Sequence, residues 1–231
     1  TFVRLVHNYK NSRNVKLKCL SVHIGSQIVD HKPYEKMLKS ITRILKKINY
    51  EFEFIDLGGG MGISYSDKEK KLDYRKYCIA IKKFLNKTRS RIIFEPGRSI
   101  IGNTGALISK IIYIKKSERK NFIILDAAMN DLMRPALYGA THKMLPALKK
   151  AQILKENHEF VGPICESTDS FLTLKKFQKL KEKEIIVMCD VGAYGMSLSS
   201  NYNLRPKPIE LMIKGSKIKV IKKRQKHTDF I

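Results

Sequence analysis

The sequence predicts an α/β region followed by a largely antiparallel β region. Two observations carry this prediction. Up to about Ser99, apolar runs typical of strands alternate with segments in which apolar residues recur at helical spacing. Beyond that point, β-type runs follow one another with few helical segments between them. We therefore place two domains in the 231-residue chain, 1–102 and 103–231.

Three strands and two helices are predicted in the first domain. Strands are expected at 15–24, 52–57 and 91–95, with helices at 34–48 and 74–86. Alternation of strand and helix, with polar residues or glycine after each strand, is typical of a parallel α/β sheet. Three parallel strands would leave two open edges and uncovered faces. We therefore expect the chain to begin within a larger α/β domain, completed by upstream residues or by another chain.

The second domain is predicted to consist mostly of short strands. β-type runs are found at 107–114, 121–126, 159–161, 185–189, 209–213 and 217–221. Lys214 and Gly215, between the last two runs, indicate a hairpin turn. A short helix is expected near 170–177.

The net charge of +25 invites an interpretation as a nucleic-acid-binding protein. The excess, however, comes from 35 lysines against only 11 arginines, and the chain has 28 isoleucines against 9 alanines. Such a bias is typical of an A+T-rich coding sequence, whereas proteins that read duplex DNA rely on arginine. We therefore expect no specific nucleic-acid partner, although non-specific adhesion to polyanions at low salt is expected. With 43% hydrophobic residues, the chain is too apolar for wholesale disorder.

Hydropathy and cysteine usage predict a cytoplasmic protein. No window approaches the roughly 18–20 consecutive apolar residues of a membrane span, and the first residues lack the apolar stretch of a secretion signal. The four cysteines form no CxxC pair and have no metal-ligand spacing, so we expect a reducing compartment and no metal site. Cys19, Cys78 and Cys189 are expected to be small core residues.

Chemistry-bearing residues follow three successive predicted strands of the first domain. His23 follows the first strand, the glycines at 58–60 follow the second, and the segment EPGR at 95–98 follows the third. Side chains at the carboxyl ends of parallel strands form the active sites of (β/α)₈ barrels. A glycine-rich turn lets backbone N–H groups approach a phosphate. Each segment alone is also compatible with a tight turn or a structural histidine, but the three together predict a functional site.

Six segments, taken in order, resemble the diaminopimelate decarboxylase family. They are HIGSQ at 23–27, DLGGGMGISY at 56–65, EPGRSI at 95–100, RPALY at 134–138, GPICESTD at 162–169 and DVGAYG at 190–195. The resemblance implies an alanine-racemase-like fold, of which this chain would form the C-terminal part of the (β/α)₈ barrel and a mostly antiparallel β domain. It also implies a homodimeric enzyme, with active sites at the interface, that uses pyridoxal 5'-phosphate. The implied reaction converts meso-2,6-diaminopimelate into L-lysine and CO₂, the last step of lysine biosynthesis.

The resemblance also implies which residues bind the cofactor. His23 would stack on its pyridine ring, and Glu95 would pair with the pyridine nitrogen and keep it protonated. Tyr194 would hydrogen-bond the phosphate from the β domain. His23, Glu95 and Cys165 would be the catalytic residues. The remaining cofactor-binding residues, most of them in a phosphate cradle, would be Ser26, Gly58, Gly59, Gly60, Pro96, Gly97 and Arg98.

The substrate-binding residues that the resemblance implies lie in both domains. The guanidinium groups of Arg98 and Arg134, together with Tyr138, are suited to the distal carboxylate of the substrate. Glu166 would face the distal ammonium group, and Cys165 would return a proton to the carbon that has lost CO₂. The implied substrate-binding set is Arg98, Arg134, Tyr138, Glu166, Ser167 and Tyr194.

One residue of the family pattern is missing. In the family, a lysine early in the barrel, in a Tyr-Ala-x-Lys-Ala-like stretch, forms a Schiff base with the cofactor, and none of the 35 lysines here has that context. We therefore expect the catalytic lysine upstream and no catalysis by this chain alone. Two alternatives stay open. One is an ornithine- or arginine-type decarboxylase, although ornithine decarboxylases typically carry Asp after the cysteine, where this chain has Glu166. The other is an inactive partner of an active homologue.

Overall fold

The computed structural model describes residues 2–66 and 69–230. The chain divides into two compact units, Thr1–Gly102 and Asn103–Ile231. The first is an α/β unit and the second is mostly β, as the sequence predicts. None of the helices within the described ranges is both long and apolar enough to cross a membrane.

A parallel sheet of three short strands forms the centre of the first unit. Its elements are α1 (Phe2–Tyr9), β1 (Cys19–Ser21), α2 (Lys32–Ile48), β2 (Phe54–Asp56), α3 (Tyr74–Leu85), β3 (Arg91–Ile93) and α4 (Arg98–Ile101). The strand order is β1-β2-β3, and both strand pairs are parallel. The strands are shorter than predicted because each ladder extends over only three residue pairs. Beyond those pairs, the apolar residues of each run lie in loops.

Helices α2 and α3 supply most of the apolar surface that covers this sheet. α2 has proline in its first turn and ends at Asn49, which adopts the left-handed conformation and donates its N–H to the carbonyl of Leu45. α3 begins at Asp73, whose carboxylate accepts a hydrogen bond from the N–H of Lys76 at 3.0 Å. The buried faces of the two helices meet at Tyr34 and Tyr77, whose rings pack edge to face at 4.8 Å.

A six-stranded sheet dominates the second unit. Its elements are β4 (Leu107–Lys116), β5 (Asn121–Leu125), α5 (Arg134–Tyr138), β6 (Met144–Pro146), β7 (Ile153–Leu154), β8 (His158–Val161), β9 (Ser170–Leu174), β10 (Phe177–Gln178), β11 (Ile185–Met188), β12 (Glu210–Lys214) and β13 (Lys217–Lys222). The order in the large sheet is β6-β11-β4-β5-β8-β9, and among the described strands of this sheet only the β5–β8 pair is parallel. The predicted hairpin at Gly215 joins β12 to β13, and this glycine has a φ of 60°.

Two expectations about individual segments are wrong. Residues 170–174 form β9 and Phe177 begins β10, rather than a helix, because their backbones pair with β8 and β7. Cys19 and Cys78 are exposed, and Cys189 is half-buried, so they are not core residues. Cys19 lies on the strand face opposite that of the buried Leu20. Cys78 follows the buried Tyr77 on the outer side of α3.

Candidate active-site residues in the two units

The ends of the three parallel strands lie side by side in the first unit. Beyond the strands, the N–H of Val22 donates to the carbonyl of Asp56 at 2.9 Å. The N–H of Glu95 donates to the carbonyl of Gly58, also at 2.9 Å. His23, the glycine run and Glu95 therefore emerge from adjacent strands at one edge of the sheet. The side chains of His23 and Glu95 are both exposed there.

The glycine turn is packed so closely that no side chain would fit in it. Gly58 and Gly60 have φ values of 64° and 85°, which side chains rarely adopt. A Cβ on Gly59 would overlap the carbonyl oxygen of Glu95, and a Cβ on Gly60 would overlap that of Gly25. The close packing therefore requires glycine at these positions, and a turn without side chains is compatible with a phosphate cradle.

Two buried polar groups hold this turn in place, and the sequence analysis did not single them out. The carboxylate of Asp56 accepts the N–H of Gly58 at 2.8 Å and the hydroxyl of Ser21 at 3.0 Å. The hydroxyl of Tyr34 donates to the carbonyl of Gly59 at 3.3 Å. Burial, and secondarily the neighbouring Tyr74, raise the pKa of Tyr34 to about 12, which keeps it a donor. Asp56 could have been noticed because it directly precedes the Leu-Gly-Gly-Gly segment.

The Arg98 side chain lies over the loop that follows β1. Its guanidinium donates to the hydroxyl of Ser26 at 3.3 Å and to the hydroxyl of Tyr65. The neighbouring Pro96 and Gly97 are exposed. The structure therefore brings together every residue of the first unit in the predicted cofactor set. We call this group the strand-end cluster; it consists of His23, Ser26, Gly58, Gly59, Gly60, Glu95, Pro96, Gly97 and Arg98.

The loop that carries Cys165 is closed by one buried carboxylate in the second unit. Asp169, only 3% exposed, accepts the N–H of Ile164 at 2.8 Å and the N–H of Met129 at 2.7 Å. Burial raises the pKa of Asp169, although these two bonds oppose the shift. Cys165, Glu166 and Ser167 lie on the outside of this loop and are exposed.

A cavity of about 620 Å³ lies beside the Cys165 loop. Its lining consists of Met129, Met133, Glu166, Thr168, Ser200 and Tyr202. The hydroxyl of Tyr202 donates to the Glu166 carboxylate at 3.4 Å, which holds this carboxylate at the cavity wall. An apolar wall with one carboxylate suits the alkyl chain and ammonium group of an amino acid.

Arg134 and Tyr138, at the two ends of α5, have different surroundings. Arg134 is buried, with 6% of its surface exposed, and its guanidinium donates to a ring nitrogen of His142 at 2.9 Å. Tyr138 is 66% exposed. Tyr194 is exposed and has a φ of 61°, a left-handed conformation that is uncommon for a tyrosine. His142 is a further residue that sequence reasoning missed, because a single histidine after RPALYGAT carries no periodic signal.

A match to a protein-family model shows the family to which the chain belongs. The model described as "Pyridoxal-dependent decarboxylase, C-terminal sheet domain" matches residues 13–192.

The chain belongs to the pyridoxal-dependent decarboxylase family.

Individual relatives give the same result. The chain is 40% identical over 222 residues to a diaminopimelate decarboxylase of Zymomonas mobilis, an alignment that covers 94% of this chain and 52% of the relative. The Aquifex aeolicus diaminopimelate decarboxylase is 35% identical over 221 residues, with the same coverage. The resemblance to diaminopimelate decarboxylases is therefore confirmed. The chain spans about half the length of the curated relatives it matches.

A solved structure extends the match to the fold. The diaminopimelate decarboxylase of Helicobacter pylori, crystallised with L-lysine, superposes with a TM-score of 0.90 and 36% identity, over 99% of this chain and 57% of that protein. This confirms the predicted fold class for a pyridoxal-dependent decarboxylase, the C-terminal part of a (β/α)₈ barrel followed by a β domain.

Proposed function

We propose that the full-length protein to which this chain belongs decarboxylates meso-2,6-diaminopimelate to L-lysine and CO₂, using pyridoxal 5'-phosphate. The observation that carries the proposal is the strand-end cluster, in which a glycine turn without room for a Cβ separates His23 from Glu95. The names of the relatives support the substrate. Four free cysteines fit a reducing compartment, and we place the enzyme in the cytoplasm.

The strand-end cluster fits the proposed cofactor in charge and in shape. The glycine turn carries no side chains and suits a phosphate group, with the Ser26 hydroxyl and the backbone of Gly97 and Arg98 beside it. The exposed ring of His23 can stack on a flat aromatic group. The exposed carboxylate of Glu95 can accept a hydrogen bond from a protonated ring nitrogen. When bound, the cofactor supplies an electron sink that stabilises the carbanion left by the departing CO₂.

Residues of the second unit would bind the substrate and move a proton. We assign Arg134 and Tyr138, with Arg98, to the distal carboxylate, and Glu166 to the distal ammonium group. The thiol of Cys165 would deliver its proton to the carbon that has lost CO₂. Tyr194 would bind the phosphate, and Ser167 would contribute a hydroxyl near the substrate.

We further propose that the enzyme is a homodimer with its active sites at the subunit interface. In such an arrangement the Cys165 loop of one subunit would serve the strand-end cluster of the other. The exposure of both groups in the chain is compatible with it.

The test is an assay of the full-length gene product, loaded with pyridoxal 5'-phosphate and given meso-diaminopimelate. We expect L-lysine and CO₂ in equal amounts and much slower turnover of ornithine. Glu95→Gln should retain the cofactor but lose at least about a hundredfold in turnover, because a neutral amide cannot keep the ring nitrogen protonated. The exposed Glu118→Gln serves as the control and should be fully active.

Other outcomes would reject the proposal. Faster turnover of ornithine than of diaminopimelate would indicate the ornithine-type alternative. Cofactor binding without turnover of either amino acid would indicate an inactive partner.

A further inference from the structure

A buried histidine connects two of the segments assigned to the substrate and the cofactor. His142 is 2% exposed and lies in the second unit, four residues after the end of α5. Its Nε2 atom is 2.9 Å from a terminal nitrogen of Arg134. Its Nδ1 atom is 2.9 Å from the carbonyl oxygen of Cys189. Cys189 directly precedes the DVGAYG segment, which carries Tyr194.

The two partners determine the tautomer of the ring. A guanidinium group can only donate, so Nε2 of His142 must be the acceptor. A carbonyl oxygen can only accept, so Nδ1 must carry the hydrogen. The imidazole is therefore neutral. A second ring proton would turn Nε2 into a donor facing the Arg134 cation, which would remove the hydrogen bond and bury two like charges.

The position of the ring is set by the neighbouring strands. β6 and β11 pair in antiparallel fashion, and the ladder continues past them through a bond from the N–H of Cys189 to the carbonyl of Lys143 at 2.9 Å. Cys189 therefore holds this segment twice. Its N–H donates to the carbonyl of Lys143, just before β6, and its carbonyl accepts from the side chain of His142, the preceding residue. Arg134 instead starts the short helix α5. The histidine ties the guanidinium of this helix to the sheet.

We propose that His142 is a positioning residue that orients the Arg134 guanidinium toward the distal carboxylate of the substrate. This inference rests on the proposed function, because Arg134 receives its role there. The contact of Nε2 with one terminal nitrogen restrains the orientation of the planar guanidinium group. A bidentate grip on a carboxylate needs this restraint, because both hydrogen bonds must align at once.

The test compares the binding of two amines, of which only one carries the distal carboxylate that Arg134 is proposed to bind. L-Lysine retains the distal carboxylate of diaminopimelate, whereas cadaverine lacks it. Their affinities for the full-length holoenzyme can be measured by calorimetry, without turnover. His142→Phe keeps a ring of similar shape but has no acceptor for Arg134. We expect His142→Phe to bind lysine about tenfold more weakly or worse and cadaverine unchanged, because it loses the charge-assisted hydrogen bond that orients Arg134.

Two further variants separate the acceptor from the rest of the ring. His142→Gln can place its amide oxygen near the former Nε2 and should restore most of the lysine affinity. His142→Asn can keep the donor to the Cys189 carbonyl but loses the acceptor, so it should resemble His142→Phe. If His142→Phe does not fold, the Gln and Asn pair carries the comparison.

His158→Phe is the matched control. His158 is also 2% exposed, lies in the same unit and has its Nδ1 atom 2.7 Å from the backbone carbonyl of Glu156. It should leave the lysine-to-cadaverine ratio unchanged. Equal weakening of both amines by His142→Phe, or full lysine affinity in both His142→Phe and His142→Asn, would overturn the role of His142. Wild-type protein that makes no lysine from diaminopimelate would instead reject the proposed function.

Discussion

At the scale of single residues, Asp169 shows how one side chain can shape a loop that carries several candidate site residues. Its carboxylate binds the N–H groups of Ile164 and Met129, and its backbone carbonyl accepts the N–H of Gly162 at 3.0 Å. A Cβ on Gly162 would overlap the Asp169 carboxylate, so the two residues fit only as a pair. The position of Cys165 therefore depends on a residue that is itself buried.

Asp169→Ala should destabilise the protein, because it leaves the partly buried N–H groups of Ile164 and Met129 without their acceptor. Each such group costs about 1–3 kcal/mol, so we expect the free energy of unfolding to fall by about 2 kcal/mol or more. Urea unfolding of the full-length protein measures this. Asp229→Ala is the control, since its exposed carboxylate accepts the N–H of Lys226 at 2.7 Å where water can replace it. Similar losses in both variants would contradict the role of burial.

The pH dependence of stability should have opposite signs at two other carboxylates of the same unit. Burial raises the pKa of Asp131 above its ordinary value of 3.8, although the N–H of Ala128 and the cation of Arg205 oppose the shift. Between 3.8 and the raised pKa, Asp131 is ionised in the unfolded state but keeps its proton in the folded state. As the pH rises through this window, wild type should therefore lose stability relative to Asp131→Asn.

Glu159 supplies the opposite case. Burial acts to raise its pKa, but bonds from Lys120 and Ser170 outweigh burial and bring the pKa below 4.5. The stabilisation of the folded state by ionised Glu159 is fully present above pH 4.5 and is lost as the pH falls through the lowered pKa. Wild type should therefore lose stability relative to Glu159→Gln on acidification. Unfolding free energies of wild type and both variants, measured from pH 3 to 7, check the two predictions. If the difference from wild type changed with pH in the same direction for Asp131→Asn and Glu159→Gln, the opposite pKa shifts would be refuted.

At the scale of elements, α3 supports the glycine turn from a distance. Tyr77 on α3 packs against Tyr34 on α2, and the Tyr34 hydroxyl donates to the carbonyl of Gly59. Helix and turn are thereby joined through two aromatic rings. The start of α3 at Asp73 should consequently affect the turn as well as the helix.

Asp73→Ala should lower the melting temperature, because it removes the acceptor for the N–H of Lys76. Asp73→Asn should keep most of the stability, since asparagine caps helices about as well. The bond to Lys76 lowers the pKa of Asp73 below 3.8, so the cap should persist until the pH falls through that lowered value. Circular dichroism melts at pH 7 measure the difference, and equal melting temperatures for the Ala and Asn variants would argue against capping.

At the scale of the whole molecule, the candidate residues fall into two groups, one in each unit. The strand-end cluster lies within Thr1–Gly102, and the Cys165 loop with Arg134 and Tyr194 lies within Asn103–Ile231. An enzyme built in this way can complete an active site with parts of two subunits. The proposed homodimer is therefore open to a complementation test.

Full-length Gly59→Asp and Cys165→Ala should each be inactive and should regain activity when mixed. The first places a side chain where a Cβ already overlaps the Glu95 carbonyl, and the second lacks the proposed proton donor. If sites are shared across a two-fold axis, each mixed dimer contains one intact site, so up to about half of its sites should work. Subunit exchange is verified with differently tagged chains. Exchange without recovered activity would place both residues in the same subunit's site.

The sequence by itself determined the division into an α/β part and a β part, the order β1-α2-β2-α3-β3 and the glycine turn, because these depend on local chemistry. Apolar periodicity predicted α2 and α3 to within a few residues. The three successive polar strand ends predicted one site because the carboxyl ends of parallel strands lie at the same edge. The six motifs identified the family because each specifies residues at defined spacings.

Only the tertiary structure decided which side chains support the site and where several segments belong. The local pattern predicted a helix at 170–177, but pairing with β8 and β7 places this segment in strands. Cys19 and Cys78 are apolar enough for a core but lie on outward faces. Asp169 and His142 act on residues distant in sequence, through hydrogen bonds to Met129 and to the Cys189 carbonyl. Such bonds exist only once the chain has folded, because no local pattern records which distant N–H or carbonyl a buried polar group will meet.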